Sequence, residues 1–121
     1  MKNLRNQCTL IGRLGANPEM KSFNNDSTHR GQFSLATTEN YKNKAGEWIN
    51  DTQWHQIVGW GTTAKYAEKY LQKGDEVMIQ GKLTHRSYED QNKITRYITE
   101  IIADQIMIIN KYEKKSEEEA A

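Results

Sequence analysis

A single short segment, residues 63–72, has the apolar spacing of a helix, and segments with the two-residue period of strands lie on both sides of it. Ala64, Ala67 and Leu71 recur at helical intervals and form one narrow apolar stripe. The residues that can cap the start of this helix are Thr62 and Thr63. We therefore predict a small amphipathic plug in a structure made mainly of strands.

Five segments have the alternation of a strand, and they are residues 4–14, 32–38, 52–61, 76–83 and 94–109. The core positions expected in the second and fourth of them are Phe33, Leu35, Val77, Ile79, Gly81 and Leu83. The last strand is long enough to need a bend or a bulge. The intervening stretches are predicted to be a turn with a short strand continuation and three polar connections, at residues 15–23, 24–31, 39–51 and 84–93.

Three strands, a helix and two strands, in that order, are the layout of the OB-fold, an all-β, five-stranded Greek-key barrel with one short helix between strands three and four. We assign residues 1–110 to this domain and residues 111–121 to a short, charged, disordered tail. In that fold the ligand face lies on strands two and three, helped by the loops after strands one and four.

Composition excludes several classes of protein. A chain of 121 residues is expected to be one domain, and Cys8, its single cysteine, cannot form an internal disulfide. No apolar run approaches the roughly 20 residues of a membrane span, and the polar start has no secretory signal, so we expect a cytosolic protein. The net charge is +1, and +3 without the last nine residues, which neither supports nor excludes a nucleic-acid ligand.

Two of the three tryptophans lie in the third predicted strand. Trp54 and Trp60 are six residues apart, so a strand places both rings on one face, together with the polar Gln56. Flat rings on a half-polar face are typical of a platform on which bases stack. The alternative is that both rings belong to the core, because tryptophan is highly buried on average.

The chain resembles the bacterial single-stranded DNA-binding protein in several short stretches that occur in the same order from about residue 4 to residue 106. They are TLIGRLGANPE at 9–19, SLAT at 34–37, TQWHQIV at 52–58, YLQKG at 70–74 and RYITE at 96–100. The resemblance implies sequence-independent binding of single-stranded DNA in replication, recombination and repair, without a cofactor and without catalysis.

The resemblance also implies which residues carry that function. The stacking aromatics correspond to Tyr41, Trp54, Trp60 and Tyr88. Trp48 is either a further DNA contact or an anchor for its loop. The family is typically a homotetramer that pairs through its first strand and stacks through sheet faces, and the residues expected at subunit contacts are Leu4, Asn6, Cys8 and His55.

Single-strand binding also needs cations along the phosphate backbone. The candidates are Arg13, Lys42, Lys44, Lys73, Arg86 and Arg96. Arg86 is favoured because it lies two residues from Tyr88 in the same predicted connection. Thr62 occupies a position where many family members have a lysine, so we expect one fewer phosphate contact there.

Two rival functions are left open. One is an OB-fold module that binds RNA or acts as a primosome-type accessory protein. The other is a small metal-dependent hydrolase that uses His29, His55 and His85, although these three have no local ligand spacing and we expect no metal site. The chain also lacks a glycine-rich phosphate loop and a nucleophile elbow.

The last residues depart from the family pattern. Family members usually continue into a linker rich in Gly, Gln and Pro, and then into an acidic tip with a terminal Pro-Phe that recruits replication and repair enzymes. Residues 113–121 carry four glutamates without that linker or that terminal pair. We therefore expect no recruitment of enzymes through this tail, whether the chain is a mobile-element variant or a naturally tailless form.

Overall fold

The computed structural model describes residues 4–23 and 28–112, which form six strands and one helix. In chain order these are β1 (Cys8–Leu14), β2 (Glu19–Phe23), β3 (Thr28–Lys42), β4 (Trp48–Trp60), α1 (Thr62–Tyr70), β5 (Glu76–Glu89) and β6 (Thr95–Asn110). The residues on which the expected tail depends, 113–121, lie outside the described part of the chain.

Five of the strands close into a barrel. Their order is β1-β5-β6-β4-β3, and β3 returns to β1 through the pairs Arg13–Ala36 and Leu14–Leu35. Only β4 and β6 run parallel among the described pairs, whereas β2 is an additional strand that pairs with β3 alone. The predicted architecture, a five-stranded barrel with one helix between its third and fourth strands, is confirmed.

The barrel interior is one apolar cluster to which every barrel strand and α1 contribute. Its buried members are Leu14, Phe33, Leu35, Ile57, Ala67, Leu71, Val77, Ile79, Ile101 and Ala103. All predicted core positions of the second and fourth strands are therefore confirmed except one. Leu83 is 40 % exposed, because among the described residues the ladder of β1 with β5 begins at the pair Cys8–Gly81 and does not reach Leu83.

Two pairs of strands are longer than the sequence predicts. Residues 37–53, here called the β3–β4 arm, pair only with each other, and so do residues 85–99, the β5–β6 arm. The predicted polar connections at 39–51 and 84–93 are therefore wrong, since only residues 43–47 and 90–94 turn the chain. Cross-strand contacts hold these polar strands together, as in the hydroxyl pair Thr38–Thr52 at 3.1 Å.

Several smaller expectations are also settled by the structure. The last strand has two irregularities of the expected kind, at Asp104 between the pairs Gln80–Gln105 and Gly81–Ala103, and at Ile109 near its end. The helix starts after Gly61 with no side-chain cap, so the prediction that Thr62 or Thr63 caps it is wrong. The predicted connection at 24–31 is wrong at its end, because β3 already begins at Thr28.

The described chain ends two residues beyond the predicted domain boundary. Lys111 and Tyr112 both hydrogen bond to the buried carboxylate of Asp75, so they belong to the folded domain rather than to the tail. Within residues 4–23 and 28–112, no helix has the length and apolar character needed to cross a membrane.

Candidate nucleic-acid interface

All three tryptophans lie on one face of β4. Trp48, Trp54 and Trp60 follow each other at intervals of six residues, so they share the parity that faces away from the barrel interior. Their exposed fractions are 71 %, 62 % and 43 %, which makes the core alternative wrong for the two that were predicted. This tryptophan row runs along about 40 Å of strand, because each residue adds about 3.3 Å.

The ring of Trp54 lies on the turn that follows β1. A Cβ atom at Gly15 would be 2.5 Å from Cζ3 of Trp54, so only glycine lets the indole approach the backbone this closely. The ring also borders a groove of about 910 Å³, here called the Trp54 groove, which is lined in part by Arg13, Lys73 and Tyr112. The structure thus brings two of the predicted cations to Trp54.

A backbone carbonyl fixes the side chain of Arg13 in the Trp54 groove, and the side chain of Asn17 fixes the backbone at Lys73. The Nη1 of Arg13 donates a hydrogen bond of 3.0 Å to the carbonyl of Gly74. The backbone N–H of Lys73 donates one of 2.8 Å to Oδ1 of Asn17, while the lysine ammonium makes no ion pair with the described residues. The guanidinium and the ammonium therefore border the groove without a carboxylate to neutralise them.

Trp60 has partners that the sequence did not indicate. Phe23 contacts it with ring centroids 6.3 Å apart, and the guanidinium carbon of Arg30 lies 5.8 Å from its ring centroid. Arg30 is the direct cross-strand neighbour of Trp60 in the β3–β4 pairing. The prediction missed this pair because it assigned residues 24–31 to a connection. The two-residue period of β3, continued back to Thr28, is the sequence signal that indicates the pair.

A buried carboxylate joins Arg30 to Arg86. Glu100 is 6 % exposed, and its two oxygens accept hydrogen bonds from Nη2 of Arg30 at 3.4 Å and from Nε of Arg86 at 2.9 Å. Hydrogen bonding and the charge of Glu100 raise the pKa of Arg86 above its ordinary value. Two arginines against one carboxylate leave a net positive charge beside Trp60, and half of the Arg86 side chain is exposed.

Tyr88 and Arg96 face each other across the β5–β6 arm. They are direct cross-strand partners, and Tyr88 shares its face of the arm with Arg86, two residues away. The Nε of Arg96 donates a hydrogen bond of 3.0 Å to Asp90, whose carboxylate also accepts backbone N–H groups in the turn. The N–H of Ile94, the Arg96 guanidinium and the N–H of Asn92 hold the pKa of Asp90 below its ordinary value, so this ion pair persists at neutral pH.

The β3–β4 arm separates the remaining candidates. Lys42 is the cross-strand partner of Trp48 and shares the face of the tryptophan row. Lys44 lies in the turn at 43–47. Tyr41 has the opposite parity and is exposed on the other face of the arm, so the structure does not bring it to the tryptophan row. Its role in stacking stays a prediction.

The three histidines lie apart, and each one contacts a hydroxyl group. Their partners are Ser22 for His29, Thr37 for His55 and Thr99 for His85. Among the residues that the structure describes, no group of three His, Cys, Asp or Glu side chains could hold a metal ion.

The residues predicted at subunit contacts lie on or beside β1, apart from His55 on β4. In the described chain, β1 pairs with β3 only at Arg13 and Leu14, so the edge of β1 from Cys8 to Ile11 has no strand beside it on that side. The side-chain amide of Asn6 exchanges hydrogen bonds with the backbone of Leu83 and extends the β1–β5 ladder within the chain. Leu4 is 79 % exposed, and Cys8 packs against the core cluster.

A closed five-stranded barrel with a helix after its third strand and exposed aromatic residues on that strand defines an OB-fold of the oligonucleotide-binding kind. The chain belongs to the single-strand binding protein family, whose model matches residues 5–109. Among solved structures it is similar to the Plasmodium falciparum SSB in its complex with ssDNA, at 34 % identity and a TM-score of 0.79. That match covers 91 % of this chain and 98 % of the other.

Proposed function

We propose that this protein binds single-stranded DNA without regard to sequence. The observation that carries the proposal is the tryptophan row, three exposed indole rings on one face of β4 with arginine and lysine side chains beside them. Membership of the single-strand binding protein family and similarity to a protein solved with ssDNA support the same ligand.

Binding of this kind needs no reaction chemistry. Bases stack on Trp54 and Trp60, with Tyr88, Trp48 and Tyr41 as further platforms, and stacking accepts every base because each has a π-face. The phosphates meet the cations that border these rings, and the residues proposed for this role are Arg13, Lys42, Lys44, Lys73, Arg86 and Arg96. A duplex hides its base faces, so the same surface discriminates against paired DNA.

The proposed biological role is to coat strands exposed during replication, recombination and repair, which prevents reannealing and limits attack by nucleases. Such a role is non-catalytic and keeps the protein with the DNA, in the nucleoid of the cytoplasm.

We also propose that the protein acts as a homotetramer. The unpaired edge of β1 supports pairing with β1 of a second copy, near Leu4, Asn6 and Cys8, and His55 is proposed at a further contact. The outer face of β1, β5 and β6 supports stacking of two such pairs, because Ile11 and Met107 are exposed there although both are apolar. Four linked domains can wrap a longer strand than the roughly 4–16 nucleotides that one OB-fold covers.

A fluorescence titration tests the proposed ligand. Oligo-dT should quench the tryptophan emission in a saturable way, because stacked bases contact the exposed indoles directly. Duplex DNA of the same length should compete weakly. Unlabelled RNA and unlabelled oligo-dT of matched length can be compared as competitors of bound, labelled oligo-dT. If RNA competes at the lower concentration, RNA is the ligand and the proposal is wrong.

A further inference from the structure

The Trp54 groove has a second aromatic wall, which the sequence pattern did not indicate. Tyr112, the last residue that the structure describes, borders this groove together with Arg13 and Lys73. Its side chain is 41 % exposed, although the residue lies 58 positions after Trp54 in the chain. Its position therefore depends on what attaches the end of β6 to this side of the barrel.

Asp75 provides that attachment. This carboxylate is fully buried, and its Oδ1 accepts the backbone N–H of Tyr112 at 2.9 Å. Its Oδ2 accepts the backbone N–H of Gln72 at 3.0 Å and the ammonium of Lys111 at 2.5 Å. Lys111 also donates to the carbonyl of Tyr70 at 2.6 Å, so two adjacent residues at the end of β6 are fixed to the loop before β5.

The ring of Tyr112 then rests on Gly74. A Cβ atom at Gly74 would lie 2.6 Å from Cγ of Tyr112, and Gly74 has a φ of +91°, so the absence of a side chain there both permits the turn and makes room for the ring. Gly74 is itself held between the carbonyl of Leu14 and the guanidinium of Arg13. A ring supported in this way loses little further freedom when a ligand stacks on it.

The chemistry of the groove matches a short stretch of single-stranded DNA. Two aromatic rings, at Trp54 and Tyr112, can each hold a base face, and Arg13 and Lys73 supply two positive charges for phosphate. A volume of about 910 Å³ is within the range of roughly 300–1,000 Å³ that is usual for small-ligand sites. The groove is also continuous with the tryptophan row, because Trp54 belongs to both.

We infer that Tyr112 is a stacking residue for single-stranded DNA, and that the bound strand passes from Trp54 through this groove to a base subsite on Tyr112. This inference rests on the proposed function and extends it beyond β4. The subsite belongs to the end of β6, so the anchor at Asp75 is what makes these residues part of the ligand surface.

Substitution of the ring tests this inference. Tyr112→Ala keeps the backbone N–H that bonds to Asp75 and should weaken oligo-dT binding about fivefold or more, the lower limit expected for one base–aromatic stack. Tyr112→Phe keeps the ring and should restore most of the affinity. The matched control is Tyr70→Ala, which removes a tyrosine of similar exposure from α1, outside the groove, and should leave affinity unchanged.

The salt dependence separates stacking from other causes. The tyrosine ring is uncharged, so the slope of log affinity against log salt should be the same for Tyr112→Ala and the unaltered chain. A shallower slope would mean that the substitution displaced Arg13 or Lys73 and that Tyr112 only positions them, which overturns the stacking role. An affinity equal to that of the unaltered chain would also overturn it.

A second measurement uses the unaltered protein and so does not depend on how a variant folds. Photo-cross-linking to oligo-dT that carries 5-iodouracil should yield adducts at Trp54 and at Tyr112. An adduct at Trp54 without one at Tyr112 contradicts the inference and leaves the proposed function intact. If the unaltered chain does not bind oligo-dT at all, the proposed function fails first, so the two failures are distinguishable.

Discussion

Two of the exposed tryptophans of β4 are supported by neighbours that contact their rings, and the third has a lysine as its cross-strand partner. Trp54 lies on the backbone of Gly15, and Trp60 contacts the ring of Phe23 and the guanidinium of Arg30. Trp48 faces Lys42 across the β3–β4 arm. A ring that is already held in one orientation loses less conformational entropy when a base stacks on it, so these supports favour binding without touching the ligand.

Removal of the Trp54 ring should separate binding from folding. Trp54→Ala is expected to weaken oligo-dT binding by about 1–3 kcal/mol, the general value for one base–aromatic stack in proteins of this class. The thermal midpoint should change little, because 62 % of the side chain is exposed and contributes little to the core. Fluorescence titration and circular dichroism melting measure the two effects.

The control for this change is Trp54→Phe, which keeps an aromatic face and should retain more affinity than the alanine variant. A variant that unfolds while its remaining folded fraction binds with full affinity would show that Trp54 is a structural residue.

Arg86 is expected to act on both ligand and fold. Arg86→Ala should make the salt dependence of oligo-dT binding shallower by about 0.7 in log–log slope if the side chain neutralises one phosphate. It should also lower the thermal midpoint, because the buried carboxylate of Glu100 loses its 2.9 Å partner. Arg86→Lys keeps the charge and should keep the slope, and an unchanged slope in Arg86→Ala would remove this residue from the phosphate path.

At the scale of elements, the end of β6 and the loop before β5 form a single unit through Asp75. Burial alone would raise the pKa of this carboxyl, but the hydrogen bonds from Lys111, Tyr112 and Gln72 outweigh burial and hold the pKa below its ordinary value. The folded chain therefore holds Asp75 as a carboxylate more strongly than the unfolded chain does.

This shift predicts a particular pH dependence. A carboxyl with a lowered pKa in the folded state stabilises the fold above its unfolded pKa, about 3.9, and loses that contribution as the pH falls through the folded value. Asp75→Asn should cost about 1.5–3 kcal/mol at pH 7, the usual range for hydrogen bonds to a charged group. The gap in thermal midpoint between the two proteins should shrink below pH 4, and a gap that is constant from pH 7 to pH 3 would contradict the assignment.

The sequence pattern predicted the elements that bury apolar residues. It did not predict the parts of the strands that bury none. Phe33, Val77 and the stripe on α1 have clear periodicity because one face of each lies in the core. The arms have no such face, so Asn40 and Asn50 were predicted to lie in a connection although they pair across β3 and β4. Cross-strand pairing determines the strands of the arms, and the two-residue apolar period along the sequence does not reveal such pairing.

The candidate site was predictable to a similar degree. The even spacing of Trp54 and Trp60 identified their shared face, and the family resemblance added candidates elsewhere in the chain. Arg30 and Tyr112 were missed for a physical reason, since each reaches the site through a contact between residues distant in sequence. The contact of Tyr112 depends on the pairing of β5 with β6, and local composition carries no signal of it, whereas Arg30 is found once the two-residue period of β3 is extended back to Thr28.

For the whole molecule, charge is distributed unevenly along the chain. The net charge of +1 is the sum of +3 in residues 1–112 and −2 in residues 113–121. The cations proposed for phosphate binding all lie in the first part, so the last nine residues oppose the attraction between the domain and DNA.

Deletion of residues 113–121 should therefore leave binding unchanged or tighten it slightly, with the larger effect at low salt. The oligomer should stay intact, because the proposed contacts lie on β1 and on the outer sheet face. Sedimentation and an oligo-dT titration of the truncated chain measure both outcomes. A replication enzyme captured by the full chain and not by the truncated one would show that the glutamates of this segment suffice for recruitment.

The barrel closes between strands that the ribosome makes at very different times. Cys8 of β1 pairs with Gly81 of β5, so 73 residues separate two partners in one ladder. At a synthesis rate of about 5–20 residues per second, β5 is made roughly 4–15 s after β1, and β1 lacks this partner until then. The hairpin of β3 and β4 is complete earlier, so we expect barrel closure at β1 to be a late step of biosynthesis, during which the apolar side of β1 is a natural substrate for chaperones.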